Sequence, residues 1–320
     1  MIINWDVSGS RSLLPLVGTP ASKSASHRQL TECLLANETG VQDLLNVYGA
    51  ILLRGFEVTT LSQFQDVFGI FCHEFNDYVG GNSPRTRVES HVFTATEYPK
   101  DVQISMHNEA SYRATMPNIL MFYCIKPAET GGQTPLADCR RVLDRIDVNV
   151  VSRFVRCGVR YVNNMHGGFG LGRSWMEVFG TTNKGEIEAR LVAENQTFEW
   201  KLDGGLRTSI QAPAVTRHPI THENAWINQA EQWHPSSLDN CVREALMSVV
   251  GEHDLPHNAF FGDGSPLDVQ DLKNVREAML AEEKVFDWEA GDMLLCDNRL
   301  VMHGRRPYSG DRKVFVIMGN

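Results

Sequence analysis

The sequence predicts an α+β protein in which a central β-sandwich or barrel is flanked by helices. Strand-like apolar runs occur near both ends of the chain, and segments with helical periodicity lie between them. No internal repeat, low-complexity segment or proline- and glycine-rich linker interrupts the chain, so a single domain over residues 1–320 is expected. Hydrophobic residues make up 42% of the sequence, which is enough for a substantial core.

The first half of the chain alternates predicted helices and strands. Residues 38–48 carry apolar side chains at helical spacing and stop at a glycine, which predicts a helix. The apolar run 50–54 predicts a buried strand, and residues 62–71 predict a second helix with a hydroxyl residue at its start. Residues 119–125 predict a core strand, and residues 138–146 predict a helix with an aspartate N-cap.

The second half predicts shorter elements that glycine and proline interrupt. The stretch 173–200 is irregular and combines two short helices with loops. The pattern then changes to brief β-like runs, followed by two helical segments and two C-terminal strands. These predicted elements are β-like runs within 198–229, helices at 237–250 and 268–282, and strands at 292–302 and 313–318.

Composition and charge argue against several classes of protein. A formal net charge of −9 has the wrong sign for a general nucleic-acid binder, which needs a basic surface. The chain contains no run of about 18 apolar residues, so no membrane span is expected, and its N-terminus lacks the pattern of a signal peptide. The seven cysteines are scattered without a CxxC pair, which favours reduced thiols and a cytoplasmic location.

A candidate metal site begins with the HxE pair formed by His107 and Glu109. In an extended segment, residues two apart point to the same face, so both side chains can approach one ion. Two imidazoles and one carboxylate on one face form the triad of non-haem Fe(II) oxygenases, which leaves coordination positions open. The second imidazole must come from elsewhere, and His303, at the end of an apolar strand, is the strongest candidate.

Arg312 begins the strand that returns after His303, and its planar guanidinium suits a carboxylate ligand. Each of these residues also has an ordinary explanation. HxE pairs are common on surfaces, a strand-end histidine can be half-buried, and a turn arginine can be solvated. The metal-site prediction therefore depends on the residues together and not on any one of them.

Five segments of the sequence carry a family resemblance. They are GAILLRGFEV (49–58), HNEASYRATMPNILMFYCIKPAETGGQTPLADCRRV (107–142), PAVTRHPITHENAWINQ (213–229), FFGDGSPL (260–267) and GDMLLCDNRLVMHGRRPYSGDRKVFVIM (291–318). With these segments the chain resembles the taurine dioxygenase-like family of Fe(II)/2-oxoglutarate oxygenases, and within it the branch associated with nonribosomal peptide synthesis. The resemblance implies a double-stranded β-helix, or jelly-roll, core with flanking helices, and a lid or insert around 166–200.

The resemblance assigns roles to five residues. It makes His107, Glu109 and His303 the ligands of Fe(II), with 2-oxoglutarate and O₂ as cosubstrates. It matches Thr134 to the threonine that hydrogen-bonds 2-oxoglutarate, and Arg312 to the arginine that binds its distal carboxylate. For His107, Glu109, His303 and Arg312 these roles agree with the chemistry expected from the residues themselves, whereas the role of Thr134 is implied by the resemblance alone.

Two positions distinguish this chain within the family. Many members carry aspartate where this chain has Glu109, although glutamate occurs in the branch that acts on amino acids. A halogenase would need alanine or glycine at that position to admit chloride, so Glu109 argues against halogenation. Some members carry a second arginine four residues after the first, but this chain has Val316, which puts recognition of a substrate carboxylate by that route in doubt.

Five further residues are candidates for the substrate pocket. They flank the metal pair, follow a strand expected to face the cavity, or extend the anionic site; each could equally be a structural or solvated residue. The candidates are Asn108, Ser111, Asn228, Gln229 and Arg306.

The predicted function is hydroxylation of an unactivated C–H bond in an amino acid or amino-acid derivative, free or tethered to a peptidyl carrier protein, in secondary-metabolite biosynthesis. Desaturation or cyclisation at the same site is the alternative enzyme chemistry. A non-catalytic ligand-binding descendant and a cupin-like metal protein without 2-oxoglutarate are the alternatives from other classes. No nucleic-acid or membrane partner is expected, and the resemblance leaves homo-oligomerisation open.

Overall fold

The computed structural model describes residues 3–7, 14–76, 85–95, 97–113 and 115–320. Helices and strands are mixed throughout, which confirms the predicted α+β class. The helices are α1 (His27–Ala36), α2 (Glu38–Tyr48), α3 (Leu61–Phe71), α4 (Cys139–Arg145), α5 (Val148–Cys157), α6 (Trp175–Phe179), α7 (Lys184–Ala193), α8 (Ala230–Trp233), α9 (Asn240–Val249) and α10 (Val269–Ala281). Within the described ranges, none of these helices is long and apolar enough to cross a membrane.

The strands are short, and each is numbered in chain order. They are β1 (Ile3–Trp5), β2 (Leu16–Pro20), β3 (Ala25–Ser26), β4 (Ala50–Leu53), β5 (Phe56–Glu57), β6 (Arg87–Glu89), β7 (Val92–Thr94), β8 (Ile104–His107), β9 (Ile119–Lys126), β10 (Thr130–Gly131), β11 (Leu136–Asp138), β12 (Val159–Met165), β13 (Thr197–Trp200), β14 (Leu206–Ala212), β15 (Val215–Arg217), β16 (Asn224–Trp226), β17 (His257–Phe261), β18 (Met293–Asp297), β19 (Val301–Arg305), β20 (Tyr308–Ser309) and β21 (Lys313–Gly319).

An eight-stranded sheet with the order β1-β2-β4-β18-β9-β21-β7-β6 forms the base of the molecule. Successive side chains of a strand point to opposite faces, so the residues of β9 pack alternately on the two faces of this sheet. Met121 and Tyr123 pack on the face covered by α1, α2 and α3. Leu120 and Phe122 pack on the other face, together with Val301 of β19. Both faces of the sheet are therefore buried, and the second face supports the strands that carry the candidate metal site.

Two smaller sheets complete the scaffold around that site. One contains β11, β19 and β8, and the other contains β13, β14, β12 and β17. The four-stranded sheet packs through its β12, β14 and β17 residues against α4, α5 and α10. Helices α6 and α7 form a separate small core with Met165 and Leu206 at the other end of that sheet. This core includes residues of the stretch 173–200 that the sequence predicts as irregular, and α6 and α7 confirm the two short helices predicted there.

Most of the predicted elements are confirmed with small shifts in their ends, as for α2, α3, β4, β9, α4 and α10. The prediction of one strand over 292–302 is wrong, because the run divides into β18 and β19. The Asp297 side chain accepts a hydrogen bond from the Arg299 amide at 2.8 Å, which forms a turn inside the apolar run. Helices α1 and α5 and strands β12 and β17 were not predicted from the sequence.

Gly49 ends α2 in the left-handed conformation, with φ of 75°, and lies against β19. A Cβ atom added there would come within 2.4 Å of the Val301 Cγ2 atom. We expect Gly49→Ala to lower the free energy of unfolding by about 2 kcal/mol, because it adds both backbone strain and overpacking. Gly40→Ala in the same helix is the control, since nothing lies within 4 Å of its added Cβ. Chemical denaturation should show Gly40→Ala unchanged or stabilised by up to about 1 kcal/mol. Equal effects of the two substitutions would contradict the argument.

Candidate metal centre

Strand pairing brings the two predicted histidines together. His107 ends β8 and lies directly opposite His303 of β19, and their ring centroids are 4.7 Å apart. Glu109 lies two residues beyond His107, in the turn that follows β8. One ligand atom from each of the three side chains lies within 4.8 Å of the other two. The HxE pair and a histidine almost 200 residues away in the chain therefore form one cluster of metal-binding groups.

The backbone of Glu109 is held by the turn between β18 and β19. The Glu109 amide donates to Oδ1 of Asn298 at 2.8 Å, and Nδ2 of Asn298 donates to the Glu109 carbonyl at 2.9 Å. Nδ2 of Asn298 also donates to the Pro117 carbonyl at 2.8 Å. Asn298 is completely buried. The turn that divides β18 from β19 thus fixes the position of the carboxylate-bearing residue.

Burial keeps both imidazoles of the cluster neutral. Desolvation lowers the pKa of His107, and it lowers the pKa of His303 well below the ordinary range, where nearby His107 and Arg85 add to the effect. Nδ1 of His107 lies 2.8 Å from the Ser105 carbonyl, which can only accept, so Nδ1 carries the proton and Nε2 keeps its lone pair. Neutral imidazoles with an available lone pair are the form that binds a metal ion.

Nδ1 of His303 is buried and has no hydrogen-bond partner among the residues that the structure describes. Buried polar atoms are usually paired, and unpaired ones commonly mark a functional site. The ring also contacts Phe122 edge-on, with centroids 5.0 Å apart. The imidazole is thus held by packing on one side and by its proximity to His107 on the other.

Arg85 is a residue of the site that the sequence analysis missed. Its Nη2 atom lies 2.5 Å from Oε2 of Glu109, and both side chains are buried. This ion pair uses one carboxylate oxygen and leaves the other for an ion. A buried pair of this kind holds a carboxylate in one orientation, since breaking it would leave an uncompensated charge.

Arg312 lies at the start of β21 in a half-buried position. Its Nε donates to the Gly132 carbonyl at 3.0 Å, but no carboxylate pairs with it among the described residues. Burial lowers the pKa of Arg312 to about 10, because the surroundings disfavour its charge. A desolvated guanidinium without an acidic partner is suited to an anionic ligand.

Thr134 precedes β11, whose residue Leu136 lies opposite His303 in β19. Its buried hydroxyl accepts a hydrogen bond from Nε1 of Trp288 at 3.1 Å. The indole N–H can only donate, so the hydroxyl hydrogen of Thr134 stays available for an acceptor. Trp288 therefore sets the orientation of the hydroxyl, a role that the sequence analysis did not assign to it.

A cavity of about 620 Å³ opens beside His107 and Glu109. The rings of Tyr112 and Trp233 line it and contact each other, with centroids 4.9 Å apart. The segment 166–200 supplies part of its wall, and β12, β14 and β17 supply another part. The volume is that of a typical small-molecule site.

Comparison with known protein families identifies the family of this chain. The model of the family described as taurine catabolism dioxygenase TauD, TfdA family, matches residues 12–318. The chain belongs to the TauD/TfdA family. This match covers nearly the whole sequence, so the family assignment applies to the region that contains the candidate metal centre and the cavity.

Relatives of this TauD/TfdA protein are found among both sequences and solved structures. The dapdiamide synthesis protein DdaC of Enterobacter agglomerans is 37% identical over 278 residues, which cover 87% of this chain and 84% of that protein. A clavaminate synthase-like protein of Arabidopsis thaliana is 31% identical over 298 residues, covering 90% and 86%. The PvcB protein of Pseudomonas aeruginosa shares the fold, with a TM-score of 0.58 at 15% identity over 99% of this chain and 91% of that one.

The TauD/TfdA assignment makes this chain a non-haem Fe(II)/2-oxoglutarate-dependent dioxygenase, with Fe(II), 2-oxoglutarate and O₂ as its cofactors. The residues present fit that set. Two neutral imidazoles and a carboxylate cluster within 4.8 Å, and these are the donors of a facial triad. The half-buried Arg312 lacks a carboxylate partner in the described chain, which suits a dicarboxylate cosubstrate.

Two of the predicted substrate-pocket residues are held by internal hydrogen bonds in this TauD/TfdA protein. Asn108 is completely buried, and its Nδ2 donates to the Asn298 carbonyl at 2.7 Å. Gln229 lines the cavity, but its Nε2 donates to the Asn108 carbonyl and its Oε1 accepts from Trp233 Nε1. Through these hydrogen bonds both side chains stabilise the turn that carries Glu109.

The other three predicted pocket residues do not line the cavity. The Asn228 side chain donates to the Ala214 carbonyl at 3.1 Å, and Arg306 forms an ion pair with Glu283. Ser111 is buried, and its hydroxyl has no partner within the described ranges. Contact of these residues with a substrate stays a prediction.

Trp288→Phe tests the role of the indole N–H beside Thr134. Without that donor the Thr134 hydroxyl is free to turn, so we expect the half-saturating concentration of 2-oxoglutarate to rise about fivefold, the value of one net hydrogen bond. Titration of the metal-loaded protein with 2-oxoglutarate would measure it. Trp200→Phe is the matched control, because its indole N–H donates to Glu188 in the 166–200 segment. Equal 2-oxoglutarate affinity in Trp288→Phe and wild type would exclude this role.

Proposed function

We propose that this protein hydroxylates an unactivated C–H bond of an amino acid or amino-acid derivative, with His107, Glu109 and His303 as the Fe(II) ligands. One observation carries the proposal: the three side chains cluster within 4.8 Å, and His107 and Glu109 line a cavity of substrate size. Three protein ligands leave positions for a cosubstrate and O₂. The reaction converts the substrate C–H, 2-oxoglutarate and O₂ into the alcohol, succinate and CO₂, with one oxygen atom entering each of the two organic products.

Some residues of the site bind 2-oxoglutarate, and others orient the side chains that bind Fe(II). Arg312 binds the distal carboxylate of 2-oxoglutarate, and Thr134 donates its hydroxyl hydrogen to the same ligand. Arg85 keeps the Glu109 carboxylate in one orientation, and the Ser105 carbonyl keeps the proton of His107 on Nδ1. Fe(II) and 2-oxoglutarate, when bound, supply the activation of O₂ that the hydroxylation requires.

The substrate class is supported by the relatives and by Glu109, because the resemblance associates glutamate at this position with the branch that acts on amino acids. DdaC is a protein of dapdiamide synthesis, and PvcB is described as an oxygenase of an isonitrile synthetic pathway. Both belong to small-molecule biosynthesis, which supports an amino-acid-derived substrate here. The substrate is either free or attached to a peptidyl carrier protein.

Two features of the architecture form part of the proposal. The eight-stranded sheet and the three-stranded sheet that packs over it are the two faces of a double-stranded β-helix, within a single domain over 1–320. The segment 166–200 is a lid or insert, supported by its separate small core and by its share of the cavity wall. Its position would shield the metal centre from solvent.

Anaerobic spectroscopy followed by turnover would test the function. Fe(II) and 2-oxoglutarate are added to the metal-free protein without O₂, and the expected result is a weak visible charge-transfer band. Amino acids, free and carrier-bound, are then offered with O₂ while succinate and product mass are followed. A product heavier by one oxygen atom supports hydroxylation, whereas loss of two hydrogens identifies desaturation or cyclisation. Absence of the band in folded protein would overturn the assignment of the site.

A further inference from the structure

Three polar side chains form a row across the four-stranded sheet. Asn163 of β12 lies directly opposite Thr208 of β14 on one side and His257 of β17 on the other. Directly opposed residues of neighbouring strands point to the same face of the sheet. All three line the cavity that His107 and Glu109 also line. A polar surface thus shares one cavity with two residues of the candidate metal centre.

The rows on either side of this polar row are apolar. One of them contains Tyr161 and Ile210, which belong to the core built on α4, α5 and α10. The other contains Met165 and Leu206, which belong to the small core of α6 and α7. Burial alone would favour apolar side chains between these two cores. The polar row therefore requires a separate explanation.

The polar row has no internal hydrogen-bond partners. Thr208 is only 2% exposed, Asn163 is half-buried and His257 is exposed. None of the three side chains has a hydrogen-bond partner within the part of the chain that the structure describes. The neighbouring Asn164 points to the other face and is fully paired, since its amide donates to the carbonyls of His253 and Leu255. Buried polar groups are normally satisfied, so the unpaired hydroxyl of Thr208, between two other unpaired polar side chains on a cavity wall, indicates a ligand.

The chemistry of the row selects the kind of group that it binds. A threonine hydroxyl and an asparagine amide each offer a donor and an acceptor. Desolvation lowers the pKa of His257, whose ring packs against Trp233 although the residue is exposed at its outer side, so its imidazole is neutral and also offers one of each. A carboxylate only accepts and an ammonium only donates, whereas a carboxamide does both. An uncharged carboxamide is the complement of this row.

The row is rigidly linked to the metal-bearing turn. The amide of Gln229 donates to the Tyr161 hydroxyl at 2.8 Å, and Nε2 of Gln229 donates to the Asn108 carbonyl at 2.7 Å. Tyr161 and Asn163 lie on the same strand, two residues apart, so their Cα atoms are separated by about 7 Å. A ligand held by the row would therefore be positioned by the same framework that positions Glu109.

We propose that Asn163, Thr208 and His257 form a substrate-binding subsite for an uncharged carboxamide group, so that the substrate is an amide-bearing amino-acid derivative. The inference rests on the proposed function and narrows its substrate class. Reaction at a C–H bond then depends on how far that bond lies from the amide, because the subsite anchors the amide end of the molecule.

Calorimetry with paired probes tests the subsite. L-asparagine and L-glutamine are compared with L-aspartate and L-glutamate, using protein loaded with Zn(II) and 2-oxoglutarate, and also metal-free protein. We expect at least one amide to bind about tenfold more tightly than its acid, and Thr208→Val and Asn163→Leu each to weaken that amide about tenfold, one hydrogen bond being removed in each case. Failure of both amides to bind, or equal affinity for amide and acid, would overturn the proposal.

A matched control separates recognition from structure. Ser209 is the next residue of β14, and its hydroxyl bonds that of Thr197 on the other face of the sheet, so Ser209→Ala should keep the preference for the amide. Thr208→Val should lose the preference without a lower melting temperature, because it removes an unpaired buried hydroxyl. An amide preference without the iron charge-transfer band would leave the subsite standing and reject the proposed chemistry. The charge-transfer band without an amide preference would support the proposed chemistry and reject the subsite.

Discussion

His303→Ala is expected to abolish Fe(II) binding without destabilising the metal-free protein. The substitution removes one of three clustered donors. Replacing a residue that only orients a metal ligand already lowers metal affinity by about 10- to 100-fold. The affinity for Fe(II) should therefore fall by more than about 100-fold when a ligand itself is removed. The metal-free protein should keep its stability, because Nδ1 of His303 is buried without a partner in the described residues and burial already disfavours the charged ring. Loss of function would then come from the site and not from unfolding.

His218→Ala is the control, because it should lower stability and leave Fe(II) binding unchanged. His218 is also buried, but it is fully paired: its Nε2 lies 3.0 Å from Asp297 Oδ2, and its Nδ1 accepts from the Thr221 amide. We expect His218→Ala to lower the free energy of unfolding by about 2 kcal/mol, since it leaves a buried carboxylate without its partner, and to keep Fe(II) affinity. Fe(II) titration under anaerobic conditions and urea denaturation measure both. Fe(II) affinity within tenfold of wild type in His303→Ala would disprove the ligand assignment.

The HxE pair of the metal cluster is readable from the sequence because its geometry is local, and the distant His303 is readable from its position in an apolar run. His107 and Glu109 share a face through the two-residue period of an extended chain, and His303 lies in an apolar run that any sheet would bury. The turn at Asn298 was less obvious. Asp297 and Asn298 are turn-forming residues within an otherwise apolar run, and that signal could have divided the predicted strand in two.

Other parts of the site leave no local pattern. Arg85 reaches Glu109 from a different part of the chain, and Trp288 reaches Thr134 over a longer separation. No spacing rule connects such residues, because only the packed sheets bring them together. The same holds for the polar row on the four-stranded sheet. The strands β12 and β17 are buried on both faces for much of their length, so they lack the alternation that identifies half-buried strands.

The two arginines near the C-terminus show why chemistry alone did not separate a ligand-binding residue from a structural one. Arg306 and Arg312 both lie near the turn that follows β19, and both were candidates for an anionic site. The structure pairs Arg306 with Glu283 and leaves Arg312 half-buried with only the Gly132 carbonyl as a hydrogen-bond acceptor in the described chain. The presence or absence of an acidic partner, which only the fold decides, distinguishes the two.

Arg312→Leu is therefore expected to raise the 2-oxoglutarate requirement while sparing both the metal site and the fold. Losing a buried charged pair costs about 2–5 kcal/mol, so half-saturation should need about 30 to 5,000 times more 2-oxoglutarate. Titration of the anaerobic Fe(II) protein, followed by its charge-transfer band, measures this change. Arg306→Leu is the matched control and should leave the requirement unchanged, since its partner is Glu283. Equal requirements in the two variants would reject the assignment of Arg312.

Stability gives Arg312→Leu a second, independent readout. Burial lowers the pKa of Arg312 to about 10 from an ordinary value near 12.5, so folding disfavours its charged form. For a base shifted in this direction, the destabilisation is complete at neutral pH, where both states are charged, and it declines as pH rises through the folded pKa. Arg312→Leu removes that destabilisation, so the ligand-free variant should be at least as stable as wild type at pH 7. 2-Oxoglutarate should stabilise wild type and not the variant, because only a ligand that binds the folded state shifts the unfolding equilibrium. A ligand-free variant that is clearly less stable would show that Arg312 supports the fold instead.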